Sequence, residues 1–361
     1  MKRYLRLVLI SSLTIAVKSY GQVQIKVSNI NISYAGRTKV AEDSVSLYWP
    51  GSAVTINFKG TGLNTTMQSF REKDYFYAIV DRDQTKIIKI SSDSTKKRFI
   101  VASGLTDAIH SVEIYKLTNN TSETRFYGFE IEGKGKILPR SKAQVRKIEF
   151  YGNSITAGNG VDAPAGVQNP GAPEYFNNYY TYDALTARHF GAQCSCIARS
   201  GIGVMISGFP EIMPDIYDRL DPTNPQSKWN FSNYTPDIVV VNLFQYDYWL
   251  VKLPEKAQFK IRFGTTPPTD EFIIKSYQNF ISTIRSKYPH ASIICVLGNM
   301  NATEAGSNWP GYISQAVKNL NDQNIHTLFF PFKNTPGHPN RIEQQTMAKD
   351  LISFIDKNIK W

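Results

Sequence analysis

The sequence predicts a protein of two domains, an antiparallel β-sandwich followed by an α/β domain with a parallel sheet. Its 361 residues are more than one average domain contains. In the first half, short alternating or apolar runs follow one another without a helical period, which is typical of a sandwich or jelly roll. After Arg146, apolar runs alternate with amphipathic helical patterns, which indicates a parallel sheet with helices on both faces.

Residues 1–21 have the features of a secretory signal peptide. Three basic side chains among the first six residues precede an apolar run, 7–17, that is too short to span a bilayer. Small residues before Gln22 suit a cleavage site. The alternative is a short membrane anchor, which is disfavoured because Lys18 interrupts the run. We therefore expect an exported protein, secreted or periplasmic, that does not insert into a membrane.

Charge and cysteine content exclude several classes of protein. The formal net charge is +11; the predicted leader carries four basic residues and no acid, which leaves about +7 for the rest. This charge is dispersed along the chain, so a role in solubility explains it better than the binding of an acidic polymer does. Nucleic-acid binding is not expected. An odd set of cysteines, Cys194, Cys196 and Cys295, predicts buried thiols rather than a disulfide framework. Without matching partners it is also a poor zinc signal, and we expect no metal and no cofactor.

The first domain is assigned to residues 22–139. Its predicted strands share apolar or alternating side chains and are separated by Gly, Asp, Asn and Ser; they are Val54–Phe58, Tyr75–Val80, Ile87–Ile90, Phe99–Ala102, Val112–Tyr115 and Tyr127–Ile131. The Gly-, Lys- and Pro-containing stretch Lys134–Arg140 is interpreted as the linker.

The second domain is assigned to residues 145–361. Its predicted strands are of the buried type and comprise Ile148–Phe150, Cys196–Ala198, Ile238–Leu243, Ile293–Leu297 and Leu328–Phe330. Apolar residues at helical spacing predict one helix around Tyr277–Ile284 and a closing helix around Met347–Ile355. Ligands of such sheets bind at the carboxyl ends of the strands.

Ser154 is the first candidate for chemistry. It follows directly on a predicted strand that Gly152 ends, at a turn where a helix begins. Backbone N–H groups at a helix start favour an anion, and a serine placed there is a nucleophile if a base reaches it. The alternative is that Ser154 only caps the helix, because Asn and Ser are favoured caps.

His338 is the candidate base. It lies in a turn-rich loop, Thr335–Asn340, between the last predicted strand and the last helix, and thus at the same sheet edge as Ser154. An ordinary loop histidine is the alternative. With an unperturbed imidazole, activity would rise as the pH passes through about 6 to 7.

Several runs resemble a known family. Gly152–Ile155 looks like the first block of the SGNH (GDSL-type) hydrolases, which have a flavodoxin-like α/β fold, and His338–Asn340 looks like the last. The chain is still more similar to the family 2 carbohydrate esterases, which join a jelly roll to an SGNH domain. The runs that carry this closer likeness are Gly60–Leu63, Phe126–Phe129, Asn177–Tyr179, Ala184–Arg188, Cys196–Gly201, Trp229–Ser232 and Pro236–Leu243.

The resemblance implies hydrolysis of acetyl esters on polysaccharides or oligosaccharides. Ser154 would attack the acetyl carbonyl while His338 takes its proton. The oxyanion would be held by the backbone N–H of Ser154 and by that of a glycine, for which Gly203 is the first choice and Gly201 the second.

The chain departs from the family pattern at two places. After the third strand the family reads Gly-Thr-Asn-Asp, and the Asn completes the oxyanion hole; here Tyr246 stands at that place and Gln245 offers an amide one residue earlier. SGNH enzymes also carry an Asp shortly before the histidine, where this chain has Thr335 and Pro336. Some family 2 esterases lack it and use a Ser–His pair, with a backbone carbonyl orienting the imidazole.

Aromatic residues near the predicted edge are candidates for stacking on sugars. They are Tyr246, Tyr248 and Trp249 after the third strand and Trp309 after the fourth, with hydrophobic packing as the alternative for each. Three functions remain open: a carbohydrate O-acetyl esterase, a glycan-binding protein whose oxyanion hole Tyr246 has dismantled, and an esterase for non-sugar esters. The oligomeric state and the polysaccharide are not specified.

Overall fold

The structure is a computed structural model that describes residues 21–119, 123–167 and 170–361. The predicted signal peptide, apart from Gly21, lies outside these residues. None of the helices in these ranges combines the length and the hydrophobicity that a membrane span requires.

The first part of the chain is a sandwich of two antiparallel sheets. Its strands are β1 (Val23–Ile25), β2 (Ser33–Ala35), β3 (Thr38–Val40), β4 (Val45–Leu47), β5 (Ala53–Gly60), β6 (Leu63–Ser69), β7 (Asp74–Val80), β8 (Ile87–Ser92), β9 (Lys97–Ala102), β10 (Ala108–Lys116), β11 (Thr124–Ile131) and β12 (Lys136–Leu138). One sheet has the order β3-β4-β11-β6-β9, with β1 on β11; the other has the order β12-β5-β10-β7-β8, with β2 on β5. Their facing side chains, including Phe58 and Phe126, form one buried core. The predicted antiparallel sandwich is thereby confirmed.

The domain also contains strands that the sequence analysis does not predict, β1 to β4 and β6. In β6 three of the buried residues are polar: Thr65 Oγ1 donates to the Gly128 carbonyl at 2.9 Å, Asn64 donates to Glu132 at 3.2 Å, and the Ser69 hydroxyl lies 2.7 Å from that of Thr124. These hydrogen bonds replace those that the polar groups would form with water, so the groups can be buried. Within the stretch interpreted as a linker, Lys136–Leu138 pairs with β5 and belongs to the sandwich.

The second part is an α/β layer structure. Its elements are β13 (Lys147–Gly152), α1 (Ser154–Ala157), α2 (Tyr182–His189), β14 (Gln193–Ala198), α3 (Met213–Ile216), β15 (Ile238–Asn242), α4 (Gln245–Leu250), α5 (Ala257–Phe263), α6 (Asp270–Lys287), β16 (Ser292–Leu297), α7 (Trp309–Leu320), β17 (Ile325–Phe329) and α8 (Arg341–Asn358). All pairings are parallel, in the order β14-β13-β15-β16-β17.

The sheet buries both of its faces, as the apolar runs predict. Val239 and Val241 pack with α6 and α7 on one face, whereas Ile148 and Phe150 pack with α8 on the other. Since the chain runs from β13 to β14 on one side and then to β15 on the other, the strand order reverses at β13. Ligands of doubly wound sheets bind outside the carboxyl ends of the strands at such a point. Ser154 begins the first helix after this strand.

A buried ion pair joins the two domains. Arg37, in the turn between β2 and β3, donates to Glu149 of β13 at 3.3 Å and to the Tyr151 hydroxyl at 3.1 Å; both charged side chains are 0% exposed. Glu149 also accepts from Ser195 at 2.8 Å and from Tyr288 at 2.7 Å. Because every oxygen of this carboxylate is hydrogen-bonded, the charge is tolerated in the interior.

Candidate active site

The turn after β13 presents Ser154 rather than using it as a cap. A Cβ on Gly152 would lie 2.0 Å from Thr156 Oγ1, so the strand must end in glycine for α1 to begin. Asn153 is the cap, because its side chain accepts the Ile155 N–H at 3.0 Å. The Ser154 hydroxyl is therefore free for another partner.

That partner is His338. Its Nε2 lies 2.8 Å from Ser154 Oγ, across 184 residues of sequence. Gly160 approaches the same side chain, since a Cβ there would lie 3.8 Å from His338 Cβ. Desolvation, followed by the positive charge of Lys333, lowers the pKa of His338 to about 4. The imidazole is therefore neutral at ordinary pH, with Nε2 able to accept a proton from the serine.

The two glycine candidates for the oxyanion hole differ in what their N–H groups do. The Gly203 N–H donates to Ser207 Oγ at 3.0 Å, and a Cβ on Gly203 would lie 2.1 Å from the Ile206 carbonyl. Gly203 thus serves to fold its own loop, and the first choice of glycine is corrected. Among the described residues, the N–H of Gly201 has no hydrogen-bond acceptor, so the second choice offers a free donor.

The segment after β15 carries Phe244, Gln245, Tyr246 and Asp247 where the family it resembles reads Gly-Thr-Asn-Asp. Phe244 stands where the family has glycine and adopts φ +83°. This left-handed conformation costs a residue other than glycine about 1–2 kcal/mol. Its ring centroid lies 4.6 Å from that of Tyr277 and 4.9 Å from that of Trp309, and this packing holds the conformation. Asp247, buried, accepts the N–H groups of residues 204–206 at 2.7–3.2 Å.

Tyr246 and Gln245 have different access to the site. A Cβ on Gly201 would lie 3.8 Å from Tyr246 Oη, and one on Gly208 would lie 2.7 Å from it, so the phenol rests against the loop that carries the free N–H. Burial raises the pKa of Tyr246, which keeps its hydroxyl protonated. Gln245 is 1% exposed and its Oε1 accepts the Ala302 N–H at 3.3 Å. The Gln245 Nε2 has no hydrogen-bond partner among the described residues, so Gln245 also remains a candidate donor.

The four aromatic candidates do not form one wall. Trp309 is 5% exposed and packs in the core with Phe244, which corrects its predicted sugar contact. Tyr248 packs against the same core, while Trp249 packs against the core on the opposite face of the sheet. Tyr246 and Trp249 remain neighbours, with ring centroids 6.0 Å apart.

An open groove of about 820 Å³ lies at the boundary of the two domains; Asn340, two residues after His338, lines it, whereas Ser154 and His338 do not. Its lining comes from β8, from the loop after α1 and from the start of α8, and includes Lys89, Asp162, Tyr175 and Arg341. Arg341 pairs with Asp162 at 2.7 Å, and Lys89 donates to the Glu174 carbonyl at 2.7 Å. The groove therefore offers donors and acceptors without a strong net charge.

The described residues hold no group of three or more His, Cys, Asp or Glu side chains arranged for a metal. Cys194, Cys196 and Cys295 are free thiols, as the sequence predicts. Burial raises the pKa of each thiol, so none is a reactive thiolate.

The family described as carbohydrate esterase 2 N-terminal matches residues 34–140. A protein of Acetivibrio thermocellus named Cellulase/esterase CelE is 31% identical to this chain. The match covers 92% of this chain, which thus spans only 40% of the length of that protein. An acetylxylan esterase / glucomannan deacetylase of Cellvibrio japonicus is 23% identical over 93% of this chain and 91% of its own length.

A solved structure covers nearly the same extent. It is a family two carbohydrate esterase from Clostridium thermocellum in complex with cellohexaose, with a TM-score of 0.80 and 30% identity. The match covers 90% of this chain and 98% of the solved one. Both domains are therefore shared with it.

Proposed function

Because the chain belongs to family 2 of the carbohydrate esterases, a group of carboxylic ester hydrolases, we propose that it removes O-acetyl groups from plant-type polysaccharides or their oligosaccharides by a Ser–His mechanism. The observation that carries the proposal is the 2.8 Å contact between Ser154 Oγ and His338 Nε2. The basic and apolar start of the chain supports action outside the cytoplasm, as a secreted or periplasmic protein.

The chemistry takes two steps. Ser154 Oγ attacks the acetyl carbonyl while its proton moves to His338 Nε2. The resulting imidazolium protonates the sugar oxygen as the C–O bond to the acetyl group breaks, which leaves an acetyl-enzyme. His338 then takes a proton from water, the hydroxide adds to the acetyl carbonyl, and acetate leaves as Ser154 regains its proton.

The oxyanion of each tetrahedral intermediate needs preorganised donors. We assign this role to the N–H groups of Ser154 and Gly201 and to the Tyr246 hydroxyl. The free N–H of Gly201 and the contact of the phenol with its loop support the assignment. The tyrosine would replace the family's Asn with a donor that reaches from a longer side chain.

Tyr246→Phe removes this donor and keeps the ring. We expect kcat on an acetylated oligosaccharide to fall by about ten- to a hundredfold with little change in KM, because the bond forms only in the transition state. Gln245→Ala is the matched comparison, since its amide is buried beside Ala302. A large loss in Gln245→Ala with none in Tyr246→Phe would transfer the role to Gln245.

The pH profile should differ from that of an ordinary histidine. The lowered pKa means that the basic, neutral form of His338 persists until the pH falls to about 4. We expect kcat/KM to rise with a midpoint near that value and to be level through pH 6–7. The expectation for an unperturbed imidazole is a midpoint between 6 and 7 instead. Kinetics on a water-soluble acetyl ester would measure it, and a midpoint between 6 and 7 would refute it.

The groove at the domain boundary, which Asn340 of the loop after β17 lines, supports a carbohydrate substrate. Its balanced charges and hydrogen-bonding groups suit a neutral, hydroxyl-rich chain. The relatives' names include acetylxylan and glucomannan as substrates. The proposal is tested by comparing kcat/KM on acetylated xylan, mannan and glucomannan oligosaccharides with kcat/KM on ethyl acetate and 4-nitrophenyl acetate. Preference for the simple esters would assign the protein to non-sugar esters instead.

A second candidate function is glycan binding without catalysis. The replacement of the family's Asn by Tyr246 favours it, because the hole then lacks its usual amide donor. Tyr246→Asn distinguishes the two. A wild type that is nearly inactive and gains esterase activity from this change would be a binding protein, whereas an active wild type that is damaged by it has a site rebuilt around tyrosine.

A further inference from the structure

The loop that carries His338 contains no carboxylate in the usual place. Thr335 and Pro336 occupy the positions of the family's Asp, and among the described residues Nδ1 of His338 forms no hydrogen bond. A base needs a fixed orientation, so that its acceptor atom lies within reach of the proton it takes. In this chain, the orientation must come from the loop.

Lys333 lies inside this loop and binds it from within. Its Nζ donates to the Thr335 carbonyl at 2.8 Å, to Thr335 Oγ1 at 2.6 Å and to the Pro336 carbonyl at 3.2 Å. The side chain is only 3% exposed. The Lys333 backbone N–H also donates to the Asn299 carbonyl at 2.8 Å, which ties the loop to the segment after β16. An ammonium has three donors, and here the loop backbone and Thr335 use them.

Glu343 completes the network on the other side of His338. Its carboxylate lies 3.7 Å from Lys333 Nζ, accepts a hydrogen bond from Thr335 Oγ1 and accepts the Asn340 N–H at 2.8 Å. One ion pair thus holds residues 335 and 336 before the histidine and residue 340 after it. A buried ammonium requires such pairing, because an unpaired one would be costly.

We propose that Lys333, supported by Glu343, is a positioning residue that replaces the missing carboxylate by holding the loop so that His338 Nε2 faces Ser154 Oγ. This proposal rests on the proposed function for its kinetic readout, but its structural part does not. Unlike a triad Asp, the ammonium does not touch the imidazole; it acts through the backbone of Thr335 and Pro336 and through its charge.

The charge has a direct consequence for proton transfer. The groups that face the imidazole are the Ser154 hydroxyl from the β13–α1 turn, the backbone at Gly160 and Lys333 from its own loop. Of the other nearby charges, Glu343 is bound to the loop and Arg341 to Asp162. The ammonium disfavours the imidazolium, as burial does, and makes it a stronger acid towards the sugar oxygen.

Lys333→Met keeps most of the length of the side chain and removes its donors and charge. We expect kcat to fall by about ten- to a hundredfold, KM to change by less than about threefold, and the acid limb of kcat/KM to move upward by roughly one pH unit. Lys333→Arg should leave the acid limb in place because the charge remains. The control is Lys349→Met, an exposed lysine on α8, which should match wild type.

Glu343→Gln separates the charge from the packing. It weakens the same loop but leaves the ammonium, so we expect a loss of kcat without an upward shift of the acid limb. Wild-type kinetics in Lys333→Met, or equal upward shifts in both variants, would overturn the proposal. So would a loss of rate in Lys333→Met without any shift, since the ammonium would then exert no charge effect on the imidazole.

An NMR titration of isotope-labelled histidine reads His338 without turnover, and thus separates this proposal from the proposed function. We expect the His338 signal to titrate near pH 4 in wild type and at higher pH in Lys333→Met. The same midpoint in both proteins would contradict the proposal even if the wild type proved to be an active esterase. If Lys333→Met does not fold, Lys333→Gln gives the same comparison, because it also removes the charge and its amide can still donate to the loop.

Discussion

Replacement of Ser154 by alanine is expected to reduce hydrolysis of acetyl esters by about 10⁴-fold or more, because nothing else in the proposed mechanism forms the acetyl-enzyme. The fold should survive. Ser154 Oγ forms its hydrogen bond with His338, whereas the capping of α1 depends on Asn153. Loss of one such bond costs about 1 kcal/mol. Turnover of 4-nitrophenyl acetate and thermal unfolding, measured on the same preparation, check both parts.

Ser314→Ala is a suitable control for this variant. Ser314 lies on α7, and its hydroxyl donates to the Pro310 carbonyl at 3.0 Å. Its removal should leave turnover unchanged. If Ser154→Ala retains activity within a few-fold of wild type while folded, another nucleophile must be sought.

The second large effect concerns stability. Arg37→Met is expected to lower the free energy of unfolding by about 3–5 kcal/mol, because it leaves the Glu149 carboxylate buried without its positive partner. The arginine also lies over the rings of Trp229 and Phe231, at 5.4 Å from each centroid. The methionine retains part of that packing but loses the hydrogen bonds that Arg37 donates to the carbonyls of Tyr217 at 2.6 Å and Arg219 at 3.1 Å, so the loss reports on the charge and on these hydrogen bonds together. Urea unfolding followed by fluorescence would measure it.

Two comparisons make this prediction specific. Arg98→Met removes an exposed ion pair, with Arg98 Nε 2.7 Å from Glu130, and should cost less than about 1 kcal/mol. The double variant Arg37→Met/Glu149→Gln should be less destabilised than the two single changes together, since no unpaired charge remains. Equal costs for Arg37→Met and Arg98→Met would mean that the buried pair does not hold the domains together.

The sequence predicted the site where chain topology determines it. Ser154 and His338 both follow strands of one parallel sheet, and such strands end at a common edge, so their approach was deducible without coordinates. Trp309 also follows such a strand. The left-handed turn at Phe244, however, directs the Phe244 ring into the core, where it packs against the Trp309 ring and helps to enclose it. Sequence patterns do not reveal which ring fills a core.

The roles of Gly203 and Lys333 could not be predicted from the sequence, for a different reason. Each depends on which donor meets which acceptor within a loop. Gly203 is occupied by Ser207, four residues later, and Lys333 turns back on Thr335 and Pro336. A lysine five residues before a candidate base and a glutamate five residues after it were signals available in the chain, but spacing alone does not distinguish such a pair from solvated charges.

Release of acetate from acetylated xylan and glucomannan, by wild type beside Ser154→Ala, tests the central claim most directly. We predict that the wild type releases acetate from at least one of these polymers and that Ser154→Ala, folded to the same extent, releases none above the uncatalysed rate. A wild type that binds the polymers without releasing acetate, or a Ser154→Ala variant that still releases it, would contradict the account.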